Sequence, residues 1–286
     1  MVKISNIELG EFPLLLAPME DVSDPPFRAV CKENGADLMY TEFISSEGLI
    51  RNAEKSVEKL DIYDYERPIG IQIFGDKIES MREAAAIAEE ANPEIIDINY
   101  GCPVKKVACK GAGAGILLDL PKMQAMTAEI VKSVSKPVTV KTRLGWDANT
   151  IKIVEVAQRL QDVGIQALSI HGRTRQQMYK GEADWGPIAE VKNHPDIHIP
   201  IFGNGDIDSP EKAVEYRNKY GVHPTEKIMS SILRTELDAH NDAIKKQIRD
   251  FFARTMIKNI QDEKYIKEVS LDFCKKQKLK EALMKS

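Results

Sequence analysis

No stretch of this chain approaches the roughly 18 consecutive apolar residues that a membrane-spanning helix needs. Residues 1–10 also lack the apolar core of a secretory signal peptide. These two absences predict a cytoplasmic protein with no membrane partner. The length of 286 residues, with 43% apolar and 29% charged residues, is typical of one large globular domain with a small appendage.

The chain is also poor in cysteine, and its four cysteines are scattered along the sequence: Cys31, Cys102, Cys109 and Cys274. There is no C-x-x-C pair, and no histidine stands at a zinc-like spacing from a cysteine. This pattern predicts neither a metal site nor disulfides. A cysteine that matters for function would therefore act through its own reactivity.

Acidic residues are missing from two stretches, residues 101–118 and 171–181, of an otherwise acidic region. Residues 1–221 carry 26 Lys and Arg against 34 Asp and Glu, whereas residues 222–286 carry 14 against 10. The two stretches contain these cations and one aromatic residue: Lys105, Lys106, Lys110, Arg173, Arg175, Lys180 and Tyr179. Because RNA is bound through phosphate contacts and base stacking, this favours an RNA partner over chance clustering. No obligatory protein partner is indicated.

Seven short apolar runs, each ended by Pro, Gly or polar residues, predict buried parallel strands. They lie at residues 14–17, 38–41, 69–74, 95–99, 138–142, 167–170 and 199–202. Helical stretches at residues 79–91, 151–163 and 210–220 separate several of them, and the second should bury Val154, Ala157, Leu160 and Val163 before a cap at Gly164.

This alternation predicts a (β/α)₈ TIM-type barrel, with an open doubly wound sheet as the alternative. We expect a catalytic barrel over residues 1–222 and a small α-helical region over residues 223–286. An eighth strand is only weakly indicated, by a degenerate apolar pattern at residues 228–233.

The run at residues 95–99 ends in Asn99-Tyr-Gly-Cys102-Pro, which places Cys102 at the carboxyl end of a strand. Ligands and catalytic groups collect at that edge in α/β folds. Cys102 is therefore a candidate acid, although a free cysteine is more often a small buried hydrophobe.

Other polar residues also follow predicted strands. Lys141 lies at the end of the fifth run and His171 just past the sixth, where a barrel places ligand contacts. Gly203-Asn204-Gly205-Asp206 follows the seventh run, where backbone amides can approach a phosphate, although the tetrapeptide could also be a plain turn. The glycines at 111, 113 and 115 fit no dinucleotide or P-loop pattern and suggest an active-site loop.

Six segments in this order resemble the tRNA-dihydrouridine synthases, and most closely the bacterial B type. They are LAPMEDVSDPPFR at residues 16–28, QIFG at 72–75, DINYGCP at 97–103, VKTR at 140–143, SIHGRT at 169–174 and GNGD at 203–206. The similarity covers residues 14–221. It implies a barrel enzyme that binds FMN, uses NADPH and reduces uridine in tRNA to 5,6-dihydrouridine.

The resemblance also implies roles for individual residues. Cys102 would protonate C5 of the uracil after a hydride reaches C6, and Asn99 would hold the base. The base must leave its stack to react, so Lys105, Lys106 and Arg173 on the basic stretches would contact the RNA. The cofactor-binding residues would be Pro18, Met19, Glu20, Gln72, Lys141, His171, Asn204, Gly205 and Asp206.

The chain departs from the family pattern after Gly221. The family's eighth strand ends in a Gly-Arg phosphate grip followed by Pro-Trp, and residues 220–234 contain neither pair. Two alternatives therefore stay open beside the enzyme. One is an RNA-binding relative that is weak or inactive and retains no flavin, and the other is a flavoenzyme that reduces a free pyrimidine.

Overall fold

The computed structural model describes residues 1–208 and 210–226. Its strands are β1 (Lys3–Ile4), β2 (Ile7–Glu8), β3 (Leu15–Leu16), β4 (Met39–Tyr40), β5 (Ile44–Ser45), β6 (Ile69–Phe74), β7 (Ile95–Tyr100), β8 (Val138–Arg143), β9 (Ala167–His171), β10 (Ile201–Asn204) and β11 (His223–Glu226). Its helices are α1 (Pro25–Glu33), α2 (Ser46–Leu49), α3 (Glu54–Glu58), α4 (Ile78–Glu90), α5 (Lys105–Ala108), α6 (Leu120–Ser133), α7 (Ile153–Asp162), α8 (Gly186–Asn193) and α9 (Pro210–Tyr220).

The parallel strands form a ring in the order β3-β11-β10-β9-β8-β7-β6-β4. The ring closes where Leu15 bridges to Leu38, and the Leu16 amide donates to the Leu38 carbonyl at 2.9 Å. β5 follows β4 in the chain and occupies the same position in the ring, because both strands pair with β6. The fold is thus the predicted (β/α)₈ barrel, and all seven predicted runs form strands in it.

The eighth strand lies earlier than the sequence suggested. β11 pairs with β10 through Phe202 and His223, and with β3 through Leu15 and Thr225. Its sequence, His-Pro-Thr-Glu, has no apolar run, so periodicity could not reveal it. The barrel sheet therefore extends into the segment assigned to the helical region. The suggested strand at 228–233 and the helical region beyond it lie outside the described residues, and the division into 1–222 and 223–286 stays a prediction.

The helices bury apolar stripes against the ring. In α7 the buried side chains are Ile153, Val156, Ala157 and Leu160. The predicted stripe was wrong at Val154 and Val163, which are only half-buried, because the helix is rotated by about one residue. Gly164 follows the helix with φ 99°, the left-handed conformation expected of a glycine cap.

The β1–β2 hairpin covers the amino end of the barrel. Ile4 and Leu9 pack in one buried cluster with Leu38, Ile95 and Ala167, which lie where strands begin. A cavity of about 550 Å³ also lies at this end, beside the start of β8. The predicted site residues follow the strands, at the carboxyl end of the ring. Within residues 1–208 and 210–226, no helix combines the length and the apolar character needed to cross a membrane.

Candidate active site at the carboxyl end of the barrel

Cys102 sits in a tight turn directly after β7. The Asn99 side-chain oxygen Oδ1 accepts hydrogen bonds from the Gly101 amide at 2.9 Å and the Cys102 amide at 2.8 Å. The cysteine is 6% exposed, and burial raises the pKa of its thiol above the ordinary value. The turn therefore presents a thiol that keeps its proton at neutral pH, as a proton donor requires.

The glycine-rich segment packs against this turn. The Ala114 amide donates to the Cys102 carbonyl at 3.1 Å. Gly113 has φ 52°, and a Cβ there would lie 2.9 Å from the Cβ and the carbonyl oxygen of Cys102. Only glycine fits this close approach, so the segment shapes the cysteine turn. It is a packed 3₁₀ turn over residues 113–118 rather than a phosphate loop.

A buried chain of hydrogen bonds connects Asn99 to the barrel core. The Asn99 amide nitrogen Nδ2 donates to Gln72 Oε1 at 2.9 Å, and Gln72 Nε2 donates to Asp97 Oδ2. Thr139 Oγ1 donates to the other carboxylate oxygen of Asp97. Burial raises the pKa of Asp97 to about 6, although the Thr139 and Gln72 hydrogen bonds oppose the rise. Gln72 is fully buried in this chain.

The ends of β8, β9 and β10 bring three predicted residues together. Lys141 Nζ donates to Asn204 Oδ1 at 3.0 Å. A Cβ on Gly205 would lie 2.9 Å from the His171 ring, so the β10 turn approaches that ring closely. A cavity of about 10 Å³, lined in part by Pro18, Asp97 and Lys141, lies between these strands and β3.

The turn at Gly205 and Asp206 is left-handed, with φ 115° and 64°. The register that sets Asn204 opposite Thr225 uses the Gly205 amide in the sheet, whereas the Asp206 amide donates to no residue in the part of the chain that the structure describes. An N–H group in such a left-handed turn can face an anion. The Asp206 amide therefore suits a phosphate at this position, while Lys141 offers a cation near the centre of the ring.

Arg173 differs from its predicted role as an exposed RNA contact. It is 5% exposed, and its Nη1 lies 2.7 Å from Asp206 Oδ1 while its Nη2 donates to Asp206 Oδ2 at 2.9 Å. Its guanidinium also donates to the carbonyls of Lys180 and Gly181. Burial would raise the pKa of the Asp206 carboxyl, but the bonds from Arg173 and the Ala183 amide outweigh it and lower the pKa. This pair holds the loop closed on itself.

Lys105 and Lys106 keep the exposure that the sequence suggested, on the short helix α5 after the Cys102 turn. Glu20 is also exposed, and Lys59 Nζ lies 2.7 Å from its Oε1. The carboxylates of Glu20, Asp21 and Glu42 approach within 4.8 Å of one another, an arrangement common on surfaces without a metal. Met19 and Pro18 are half-buried after β3, between Glu20 and the barrel.

Arg143 ends the VKTR segment, where a polar residue at a strand end indicates a ligand contact, but the sequence assigned it no specific role. It is 2% exposed, and it donates to the carbonyls of Gly101, Thr174 and Met178. Burial lowers its pKa to about 10, and the guanidinium lies close enough to interact with the Cys102 thiol. The signal in the sequence was an arginine at the carboxyl end of a strand.

Residues 15–229 match the family described as dihydrouridine synthase (Dus). The tRNA-dihydrouridine synthase B of Pseudomonas aeruginosa is 43% identical over 224 residues, which are 77% of this chain and 67% of that protein. The enzyme of the same name from Pseudomonas syringae pv. tomato is 42% identical over 214 residues, 73% of this chain and 63% of that protein. The matched segment thus spans about two thirds of the length of these relatives.

Two solved structures share the fold at low sequence identity. The 6-hydroxypseudooxynicotine amine oxidase from Pseudomonas geniculata N1 has a TM-score of 0.62 at 13% identity, covering 83% of this chain and 48% of its own. Histamine dehydrogenase from Rhizobium sp. 4-9 has a TM-score of 0.54 at 11% identity, covering 73% and 42%. At these identities the likeness concerns the barrel architecture alone.

Proposed function

The chain belongs to the dihydrouridine synthase family, and from this premise we propose that it reduces uridines in tRNA to 5,6-dihydrouridine with FMN as cofactor and NADPH as reductant. The observation that carries the proposal is a buried thiol at the mouth of the barrel, Cys102, whose pKa is raised by its burial. Because tRNA is the proposed substrate, we also propose a cytoplasmic location.

Reduction of the uracil 5,6 double bond needs a hydride at C6 and a proton at C5. The bound FMN would supply the hydride from its N5. Cys102 supplies the proton and is left as a thiolate, and the Arg143 guanidinium stabilises that negative charge at the moment it forms. Solvent then returns the proton to the sulfur.

The cofactor would be held across the ring. Lys141, with His171 and Asn204 beside it, would supply a cation that favours the anionic reduced flavin. The left-handed turn at Gly205 and the Asp206 amide suit its phosphate, whereas the Asp206 carboxylate is already used by Arg173. Pro18 and Met19 would line one side, and the exposed Glu20 lies at its rim.

We propose a role for Gln72 that differs from the contact with the flavin ring that the family resemblance implies. Both polar ends of its side chain are used, by Asn99 and Asp97, and it is fully buried. We therefore propose that Gln72 supports the floor of the site by linking Asn99 to Asp97.

The RNA would approach over the α5 side of the barrel. Lys105 and Lys106 are exposed there and can contact phosphates. Tyr179 is 67% exposed, and the Arg143 guanidinium lies 5.6 Å from the centre of its ring. An exposed aromatic ring beside the cysteine turn suits a base that has left its stack.

The experiment begins with colour. The purified protein should show flavin absorbance, directly or after FMN is added. It should then form dihydrouridine in tRNA that lacks this modification when NADPH is supplied. Replacing Cys102 with Ala should lower turnover by about 10²-fold or more, the usual contribution of a general acid. The matched control is Cys109→Ala, because Cys109 is exposed and lies just beyond α5.

Three outcomes separate the alternatives. Absence of flavin with intact tRNA binding would favour the RNA-binding relative. Turnover of a free pyrimidine in preference to tRNA would favour the flavoenzyme that reduces a free pyrimidine. Full turnover of the Cys102→Ala variant would remove this residue from its proposed role.

A further inference from the structure

We propose that Asp97 positions the Cys102 turn through a one-way chain of hydrogen bonds, in which Gln72 and Asn99 are the two links. The consequence for catalysis rests on the proposed function. The chain itself concerns only residues of this protein, and it can be tested on the free thiol and on stability.

The direction of the chain is fixed at its outer end by the backbone. The amides of Gly101 and Cys102 can only donate, so the group of Asn99 that faces them has to be its oxygen. The Asn99 nitrogen then faces Gln72, which has to present its own oxygen. The orientation of both side-chain amides follows from donor chemistry alone.

The inner end is fixed independently by Asp97. Because the Gln72 oxygen accepts from Asn99, the Gln72 nitrogen faces Asp97. The ionised carboxylate of Asp97 can only accept a hydrogen bond. Thr139 donates to the second carboxylate oxygen. Tyr40 and Lys141 are the other charged or titratable groups that act on this carboxylate. If the side-chain amide of Gln72 were flipped, its oxygen would face the Asp97 carboxylate and its nitrogen would face the Asn99 nitrogen.

Asn99 consequently has a positioning role. Its oxygen already accepts two hydrogen bonds, its nitrogen already donates to Gln72, and it is 6% exposed. The amide therefore fixes the backbone on which Cys102 stands. The uracil contact that the resemblance implies would use its second N–H and stays a prediction. The carboxylate acts on the thiol through the two amides rather than by touching it.

The sharpest test reverses the direction of the chain. In Asn99→Asp the new carboxylate still accepts from the two backbone amides but faces the oxygen of Gln72. Gln72 cannot turn over to relieve this, because Asp97 needs its nitrogen. In the double variant Asp97→Asn with Asn99→Asp, the side-chain amide of Gln72 flips so that its oxygen faces residue 97 and its nitrogen faces residue 99. The nitrogen of residue 97 then donates to Gln72, and Gln72 donates to the carboxylate of residue 99. Thr139 donates to the oxygen of residue 97. Every hydrogen bond is restored with the charge moved to position 99.

Two measurements on the RNA-free protein read the result. The first is thermal unfolding of the wild type, both single variants and the double variant. The second is the pH profile of Cys102 alkylation by iodoacetamide, followed on its own peptide by mass spectrometry with Cys109 and Cys274 replaced by Ser. Asn6→Asp, the same change at an exposed and distant position, is the control.

We expect Asn99→Asp to unfold at a lower temperature and the double variant to recover most of that loss, since residues in one network are not additive. In the double variant the carboxylate next to the turn disfavours the thiolate, so alkylation of Cys102 at pH 8 should slow about ten-fold, the equivalent of about one pH unit. Asn6→Asp should leave both readouts unchanged.

The loaded enzyme adds a third readout. Asn99→Asp should lower kcat for tRNA reduction with little change in KM, because the acid is misplaced while the RNA contacts remain. A double variant no more stable than Asn99→Asp, or an unchanged alkylation profile in it, would overturn the chain. Inactivity of the wild type with a recovered double variant would instead count against the proposed function alone.

Discussion

Two loops of this barrel begin with similar basic stretches but expose their cations to different extents. The β7 loop, residues 101–118, and the β9 loop, here residues 172–185, both follow a strand that ends at the site. Each begins with a basic stretch that lacks acids. In the β7 loop the lysines at 105 and 106 are exposed, whereas in the β9 loop Arg173 is 5% exposed and bound to Asp206.

The difference comes from a residue outside both loops. Asp206 follows β10, 33 positions after Arg173 in the chain, and the barrel brings it beside the β9 loop. The planar guanidinium meets both carboxylate oxygens and two backbone carbonyls, which an ammonium group could not match. Local charge composition thus predicts a basic loop, but the tertiary partner decides whether its cations face RNA or hold the loop.

The largest expected effect is on stability. Replacing Arg173 with Met should lower the free energy of unfolding by about 1–3 kcal/mol, because the Asp206 carboxylate and the Lys180 and Gly181 carbonyls lose their hydrogen bonds from the guanidinium. Lys105→Met, the matched change in the β7 loop, should stay within about 0.5 kcal/mol of the wild type. Urea unfolding of the two variants and the wild type measures both values. Equal losses would erase the distinction between the loops.

The pH dependence sharpens the same comparison. The pKa of Asp206 is lower in the folded protein than in the unfolded chain. Its pair with Arg173 therefore contributes fully above the unfolded pKa, near 3.8, and loses its contribution as the pH falls through the folded value. The stability gap between wild type and Arg173→Met should narrow as the pH is lowered below 4. A gap that is constant with pH would show that the loss is one of packing only.

The barrel and the cysteine turn could be predicted because their signals are local. The isoleucines at 69, 71 and 73 mark β6 as a buried strand, and Cys102 follows a strand next to Gly and Pro. Other features depend on partners that the closed ring supplies. They are the Arg173–Asp206 pair, the direction of the Asn99 amide and the strand at His223–Glu226. The β1–β2 hairpin is of the same kind, since its two-residue strands show no periodicity.

The next effect concerns RNA affinity. Changing Lys105 and Lys106 together to Gln should weaken tRNA binding about ten-fold and reduce the salt dependence by one to two phosphate contacts, about 0.7–0.9 each in the log–log slope. Lys132 and Lys192 provide the control, because both are exposed at the carboxyl ends of α6 and α8, toward the amino end of the barrel. Binding isotherms at several salt concentrations give affinity and slope together. An equal loss of tRNA affinity in the control variant would show that the effect comes from net charge alone.

The smallest expected effect shows whether Arg175 stabilises its loop, as Arg173 does, or contacts RNA, as we propose for Lys105 and Lys106. It is half-buried, and its guanidinium carbon lies 4.6 Å from the centre of the Trp146 ring, in the loop after β8. If it holds its loop as Arg173 does, Arg175→Lys should cost about 0.5–1 kcal/mol of stability through the weaker stacking of an ammonium group, and Trp146 fluorescence should change. Affinity for tRNA should then stay constant, since the charge is kept. A loss of affinity with unchanged stability would place Arg175 with the exposed lysines, and would show that one loop can both hold itself closed and face the RNA.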